Sequence, residues 1–226
     1  MSFFPQPVNE ALTWHYLCGQ ARLSLSADDF ELGELTPCAA EAAVVLDLAG
    51  ELLDSLAAAG LVADADWQWT ASSGGSSGAG AQASWRGAEV QLRLSLPWAV
   101  LRAHGEAPDV PGLQWLPTPA ECLLAQWRLS AEEQQALEPG GLLLIEAGEL
   151  PRLRARGEAT PGEKPWQLVA RWDQPVALEA VMGWNDRAPA APAHCQLIDA
   201  TRPELTRAHG RLVPWGTGQA LRIDSV

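Results

Sequence analysis

The stretch Glu121–Glu146, ECLLAQWRLSAEEQQALEPGGLLLIE, constrains this chain more than any other. It reads as an apolar strand, one short helical turn, a Pro-Gly-Gly corner and a second apolar strand. Within Cys122–Leu129 only Gln126 and Arg128 interrupt the apolar run. With Ser130 they share one parity, the alternation of a half-buried strand. Ser130 is placed to cap a helix over Ala131–Leu137, with Glu132 and Glu133 at the end that favours carboxylates. Pro139-Gly140 then breaks the backbone, because proline lacks a donor and glycine tolerates positive φ. Leu142–Ile145 is apolar throughout, which predicts cover on both faces of that strand. The stretch is built to make a surface rather than an active site.

A chain of 226 residues holds one large or two small domains, each with its own core. Formal net charge is −13, and Lys164 is the only lysine. Binding to a phosphate backbone needs clustered cations, so nucleic acid is a poor partner, and anionic lipid is disfavoured on the same ground. The opening MSFFPQPVNE has no basic flank and no apolar core of signal-peptide length. No apolar run is long enough to cross a bilayer, so a cytoplasmic location without membrane insertion is expected.

From the N-terminus, Leu12–Leu17 and Ala21–Ser26 read as strands, the second with a clear two-residue period. Asp28–Pro37 is acidic and turn-like. Ala42–Leu48 is expected as a strand and Glu51–Ala59 as a helix ended by Gly60, with the break at Gly50. An uninterrupted helix over Glu41–Ala59 is the competing reading, since Leu, Ala and Glu favour it. Trp67 and Trp69 share one side of a short strand. The Ser/Gly/Ala stretch Ala71–Ala83 has too little side chain to bury and is expected as a mobile loop. Glu89–Leu96 alternates cleanly, with Val90, Leu92, Leu94 and Leu96 on one face. Pro97–Ala103 leads towards a helix or turn, and Pro108–Gly112 is punctuated by Pro and Gly. A boundary there divides an α+β domain, 1–110, from a β domain, 111–226. Beyond the central stretch, Arg152–Arg156, Gln167–Trp172 and Val176–Met182 read as strands, Gly157–Pro165 as turns and Asn185–Pro203 as a loop. Gly210–Val213, the corner Pro214–Gly218 and Ala220–Val226 form a closing hairpin. The fold class is therefore α+β and β-rich.

Chemistry-bearing motifs are scarce. Gly157 and Gly162 have the spacing of P-loop glycines, but Glu163 stands where a lysine must follow and would repel phosphate. The four cysteines, Cys18, Cys38, Cys122 and Cys195, form no Cys-x-x-Cys pair, and the four histidines no His-x-x-x-His pair. These cysteines read as small, buried or half-buried apolar residues. His194 and Cys195 are adjacent, yet neighbours on a strand point apart. Asp28 with Asp29, and Asp64 with Asp66, lack the glycine and terminal glutamate of a calcium loop, and no Gly-x-Ser-x-Gly elbow is present. No catalytic residue, metal site or cofactor is expected, and the chain does not read as an enzyme. The eleven tryptophans are spread along the chain, and core packing is their default. Trp67 and Trp69 are the pair expected to be partly exposed. With Trp85 they would form the platform of a carbohydrate-binding module, the alternative function.

The run Trp127-Arg128-Leu129-Ser130, then Leu137-Glu138-Pro139-Gly140 and Leu142-Leu143-Leu144-Ile145, resembles the surface-presentation-of-antigens domain. That domain is shared by flagellar motor-switch proteins and the cytoplasmic ring, or sorting platform, of bacterial type III secretion systems. The closing His209-Gly210-Arg211-Leu212-Val213 and Leu221-Arg222-Ile223 are similar to the way such domains end. The resemblance covers the second half of the chain, and only one copy of the domain fits. It implies the split arrangement, in which a second, smaller protein supplies the other copy.

The resemblance implies a small β domain of the intertwined type and a non-enzymatic scaffold role in protein transport and virulence. The implied partners are a second ring protein carrying the same domain, the ATPase stalk or regulator protein, and chaperone–cargo complexes. Strand parity together with the resemblance nominates Trp127, Leu129, Leu137, Leu142, Leu144, Leu221 and Ile223 as partner-binding residues. The location it implies is cytoplasmic, held at the inner membrane through the secretion apparatus.

Overall fold

A computed structural model describes residues 13–27, 39–62, 66–70, 80–87, 90–146, 151–158, 162–185, 189, 192 and 194–226. The chain divides into two compact units, Met1–Leu116 and Pro117–Val226, a few residues beyond the sequence-based boundary. Strands dominate and short helices accompany them, so the class is a β-rich α+β. Among the described residues no helix is long and apolar enough to cross a membrane.

The first unit carries strands β1 (Thr13–Cys18), β2 (Ala21–Ala27), β3 (Gln68–Thr70), β4 (Gly80–Arg86), β5 (Val90–Pro97) and β6 (Gln114–Trp115). They form one antiparallel sheet in the order β3-β1-β2-β5-β4-β6. The two-residue period sorts its faces. Trp14, Tyr16, Leu23, Leu25, Ala81, Ala83 and the expected Val90–Leu96 series are all buried. The opposite parity of β1, β2, β4 and β5 is largely serine, glutamine, histidine and arginine.

Helices α1 (Ala39–Asp47) and α2 (Gly50–Ala58) lie between β2 and β3, and α3 (Trp98–Arg102) follows β5. The strand expected over 42–48 is thus a helix. Its buried residues Ala42, Val45 and Ala49 lead into Leu52, Leu53 and Leu56, a helical spacing that runs on through the turn between α1 and α2. The buried Tyr16 hydroxyl fixes α1 by donating to the Ala42 carbonyl at 2.6 Å. Gly60 ends α2 as expected: at φ 72° it lets Gly60 N–H reach Ala57 O and Leu61 N–H reach Leu56 O. Residues 80–83, expected within a mobile loop, belong to β4. The rest of that stretch, together with 28–37, Cys38 and Asp64, lies outside the described residues.

The second unit carries β7 (Ala120–Trp127), α4 (Ala131–Gln135), β8 (Leu142–Leu144), β9 (Arg152–Ala155), β10 (Trp166–Arg171), α5 (Leu178–Met182), β11 (Cys195–Asp199), β12 (Arg202–Trp215) and β13 (Gly218–Ser225). The sheet order is β8-β13-β12-β11-β10-β7-β9. Two expectations change here. Segment 176–182 is a helix apart from the Val176–Thr118 bridge, with Leu178 and Val181 buried on one side. The 185–203 segment contains β11, an interior strand paired with both β10 and β12. The closing hairpin forms as expected, with Gly216 at φ 58° starting a two-residue turn. One face of the sheet is the core, where Ala125, Leu168, Ala170, Cys195, Leu197, Ala208, Leu221 and Ile223 cluster.

Candidate functional site: an apolar sheet edge

The organising stretch folds much as its residues dictate, up to its last strand. Ser130 Oγ accepts from Glu133 N–H at 3.2 Å, and the Glu133 carboxylate accepts from Ser130 N–H at 2.7 Å. This reciprocal capping box starts α4. The two bonds from Ser130 hold the Glu133 carboxyl below the usual carboxylate range. At the corner Gly140 takes φ 88°, its N–H donates to Ile223 O, and Ile223 N–H donates to Gly141 O. These bonds lock the entry to β8 onto β13.

β8 is an edge strand, paired on one side only. Its register sets Leu143 opposite Leu221, and Ile145 N–H donates to Gln219 O. Antiparallel alternation then turns the backbone N–H and C=O of Leu142 and Leu144 to the open side. The Leu144 carbonyl accepts from Trp127 Nε1–H at 2.8 Å. Lys164 Nζ reaches Gln126 O at 3.2 Å and Glu146 Oε2 at 3.4 Å. The sheet is therefore curled, bringing the end of β7 to the end of β8.

The side chains of β8 divide sharply. Leu143 and Ile145 pack against the core, whereas Leu142 is 36% and Leu144 57% exposed. The expectation of cover on both faces is thus not met within the described chain: one face is core and the other is open. Cross-strand neighbours share a face, so Leu144, Ala220 and Val213 form one row, and Leu142, Arg222 and Arg211 the next. Trp215, two residues beyond Val213, is 53% exposed. An uncharged edge strand thus runs beside an apolar strip.

The nominated residues separate accordingly. Leu142 and Leu144 stand on the open face. Trp127, Leu129 and Leu137 are half-buried against the core cluster. Leu221 and Ile223 are 0% and 1% exposed, so their side chains are core and are not offered to a partner. Parity explains this correction, because Leu221 sits opposite Leu143 on the inward side. Val213, Trp215, Arg211 and Arg222 belong to the open face but were not nominated. The hairpin alternation carried that information once its register with β8 was known.

On the opposite face of the same sheet lies a polar network that the sequence did not announce. Buried Arg154 donates to Glu121 Oε1 at 2.7 and 3.0 Å, to Glu163 Oε2 at 2.9 Å and to Gln167 Oε1 at 2.7 Å. Arg171 donates to the other Glu121 oxygen at 3.0 Å and to Gln196 Oε1 at 3.0 Å. Arg152 pairs with Glu163 from the exposed side. Each buried charge is answered by an opposite charge, which is a structural clamp on β9.

His194 is exposed and Cys195 buried, and burial pushes the Cys195 thiol up, away from the thiolate needed for attack. Among the described residues no group of three His, Cys, Asp or Glu side chains is placed to hold a metal ion. Trp67 is buried and Trp69 half-buried, so the expected aromatic platform is not displayed. The chain matches no family model, no curated protein and no solved structure.

Proposed function

We propose that this chain is a non-enzymatic scaffold component of the cytoplasmic ring, or sorting platform, of a bacterial type III secretion apparatus. Its second unit serves as a surface-presentation-of-antigens-type domain. It assembles with a second ring protein, recruits the export ATPase stalk and sits at the inner membrane through the apparatus. The observation that carries this reading is the edge of β8, with Leu142 and Leu144 exposed beside Trp215. Edge strands left apolar and open are hazards that folded proteins normally blunt with charge or cover. An added partner strand would satisfy the outward backbone of Leu142 and bury these side chains, at roughly 1.5–3 kcal/mol for each leucine fully covered.

The test is the solution mass of the full chain by light scattering, alone and co-expressed with the second ring protein of the same host. The expected result is a stable complex that Leu144→Asp abolishes while the circular dichroism of the chain is unchanged. A monomer that ignores the second ring protein would remove the scaffold assignment.

A further inference from the structure

The open face of the first unit's sheet holds a hollow of about 930 Å³, within the range of small-molecule sites. Its origin lies in the register. One row across the sheet is His15, Ser24, Arg93, Ser84 and Gln114; the next is Thr13, Ser26, Gln91 and Arg86. Arg93 stands between Ser24 and Ser84, and Gln91 between Ser26 and Arg86, so short serines alternate with longer side chains. Trp85 also borders the hollow, although its pairing with the buried Leu92 gives it the parity of the core face. Its ring is hemmed by backbone, since a Cβ at Gly87 or Gly112 would lie 2.5 or 3.0 Å from it.

The lining has a consistent chemistry. Among the described residues that line it there is no Asp or Glu, although the whole chain is strongly acidic. Arg86 and Arg93 occupy diagonal positions on neighbouring strands, which sets their roots about 7–8 Å apart on one face. Arg93 makes no ion pair with a described residue. His15 Nδ1 lies 3.0 Å from Ser24 Oγ, which orients a hydroxyl at the floor. None of these polar side chains belongs to the apolar core, which occupies the other face.

We infer that this hollow binds a sugar bearing an anionic group, a carboxylate or a phosphate. The anion sits at Arg93, where a planar fork suits both oxyanions. The sugar hydroxyls meet Ser24, Ser84 and Gln114. The site lies in the first unit and does not depend on the edge of β8.

The test is calorimetric titration of the full chain with glucuronate, glucose 6-phosphate, glucose and inorganic phosphate. At least one of the two anionic sugars is expected to bind, and which one identifies the anion. Glucose and inorganic phosphate should each bind about tenfold more weakly or less. Arg93→Ala should lower the affinity about tenfold, and Ser84→Phe, which fills the hollow from an outward strand position, should abolish it. Unchanged circular dichroism would show that both variants fold. The inference is overturned if neither anionic sugar binds below about 10 mM. It is equally overturned if glucose or phosphate alone binds as well, or if both variants retain full affinity.

Discussion

Glu121 is 2% exposed and gives both carboxylate oxygens to arginines, one to Arg154 and one to Arg171. Removing one member of such a group leaves the others desolvated without a counter-charge, a loss of about 3–5 kcal/mol. Arg154→Met should therefore lower the stability of the second unit by that amount in urea unfolding. Arg152→Met removes the partly exposed pair to Glu163 and should cost no more than about 1 kcal/mol. Equal effects of the two substitutions would show that burial at Arg154 is not what holds β9. The strand itself was legible from the alternation over 152–156. The inward direction of its central arginine was not, because charged residues are seldom buried and the partners Glu121, Glu163 and Gln167 are scattered along the chain.

At the scale of elements, what could be read was whatever local chemistry decides. Ser130 and Glu133 make α4 by a capping box of four consecutive residues, and Gly60 and Gly216 supply the positive φ their turns need. The capping box also predicts a pH response. Glu133 has a depressed pKa, so its contribution to α4 is full above the ordinary glutamate value and is lost as pH falls through the lowered folded value. In a carboxyl NMR titration Glu133 should titrate below the ordinary glutamate value, and Ser130→Ala should return it towards that value. An unmoved Glu133 titration in that variant would contradict the cap. Elements decided by distant partners were harder to read. The 42–48 run is rich in Ala and Val and suits a strand locally, but Tyr16 and the spacing of Ala42, Val45 and Ala49 make it a helix. β11 is a five-residue run inside a Pro/Ala-rich segment, too short to show a period, and its neighbours β10 and β12 supply the pairing that makes it a strand. Leu142–Ile145 was legible as a strand but not as an edge, since its apolar residues fit an interior position equally well.

For the whole molecule, charge and the open edge bear on the same question. The chain is acidic overall, yet beside Leu142 the sheet places Arg222 directly opposite Arg211. Like charges in that position repel, and among the described residues the ion pair there is between Arg211 and Asp224, at 3.9 Å with both side chains half exposed. A partner strand that covers the apolar strip and carries an acidic residue next to Arg222 would relieve that repulsion. Apolar contacts and charge should then govern different steps of assembly with the proposed second ring protein. Leu144→Asp acts on buried contact and should raise the dissociation rate, whereas Arg222→Glu acts on long-range attraction and should lower the association rate at low salt. Stopped-flow association measured from about 20 to 500 mM salt separates the two, because steering by exposed charge fades as the screening length shortens. The unsubstituted chain should associate more slowly as salt rises, and Arg222→Glu should flatten or invert that dependence without changing the urea midpoint. If Arg222→Glu leaves the salt dependence as it was, the partner's recognition of this face is apolar alone, and the arginine pair has no part in it.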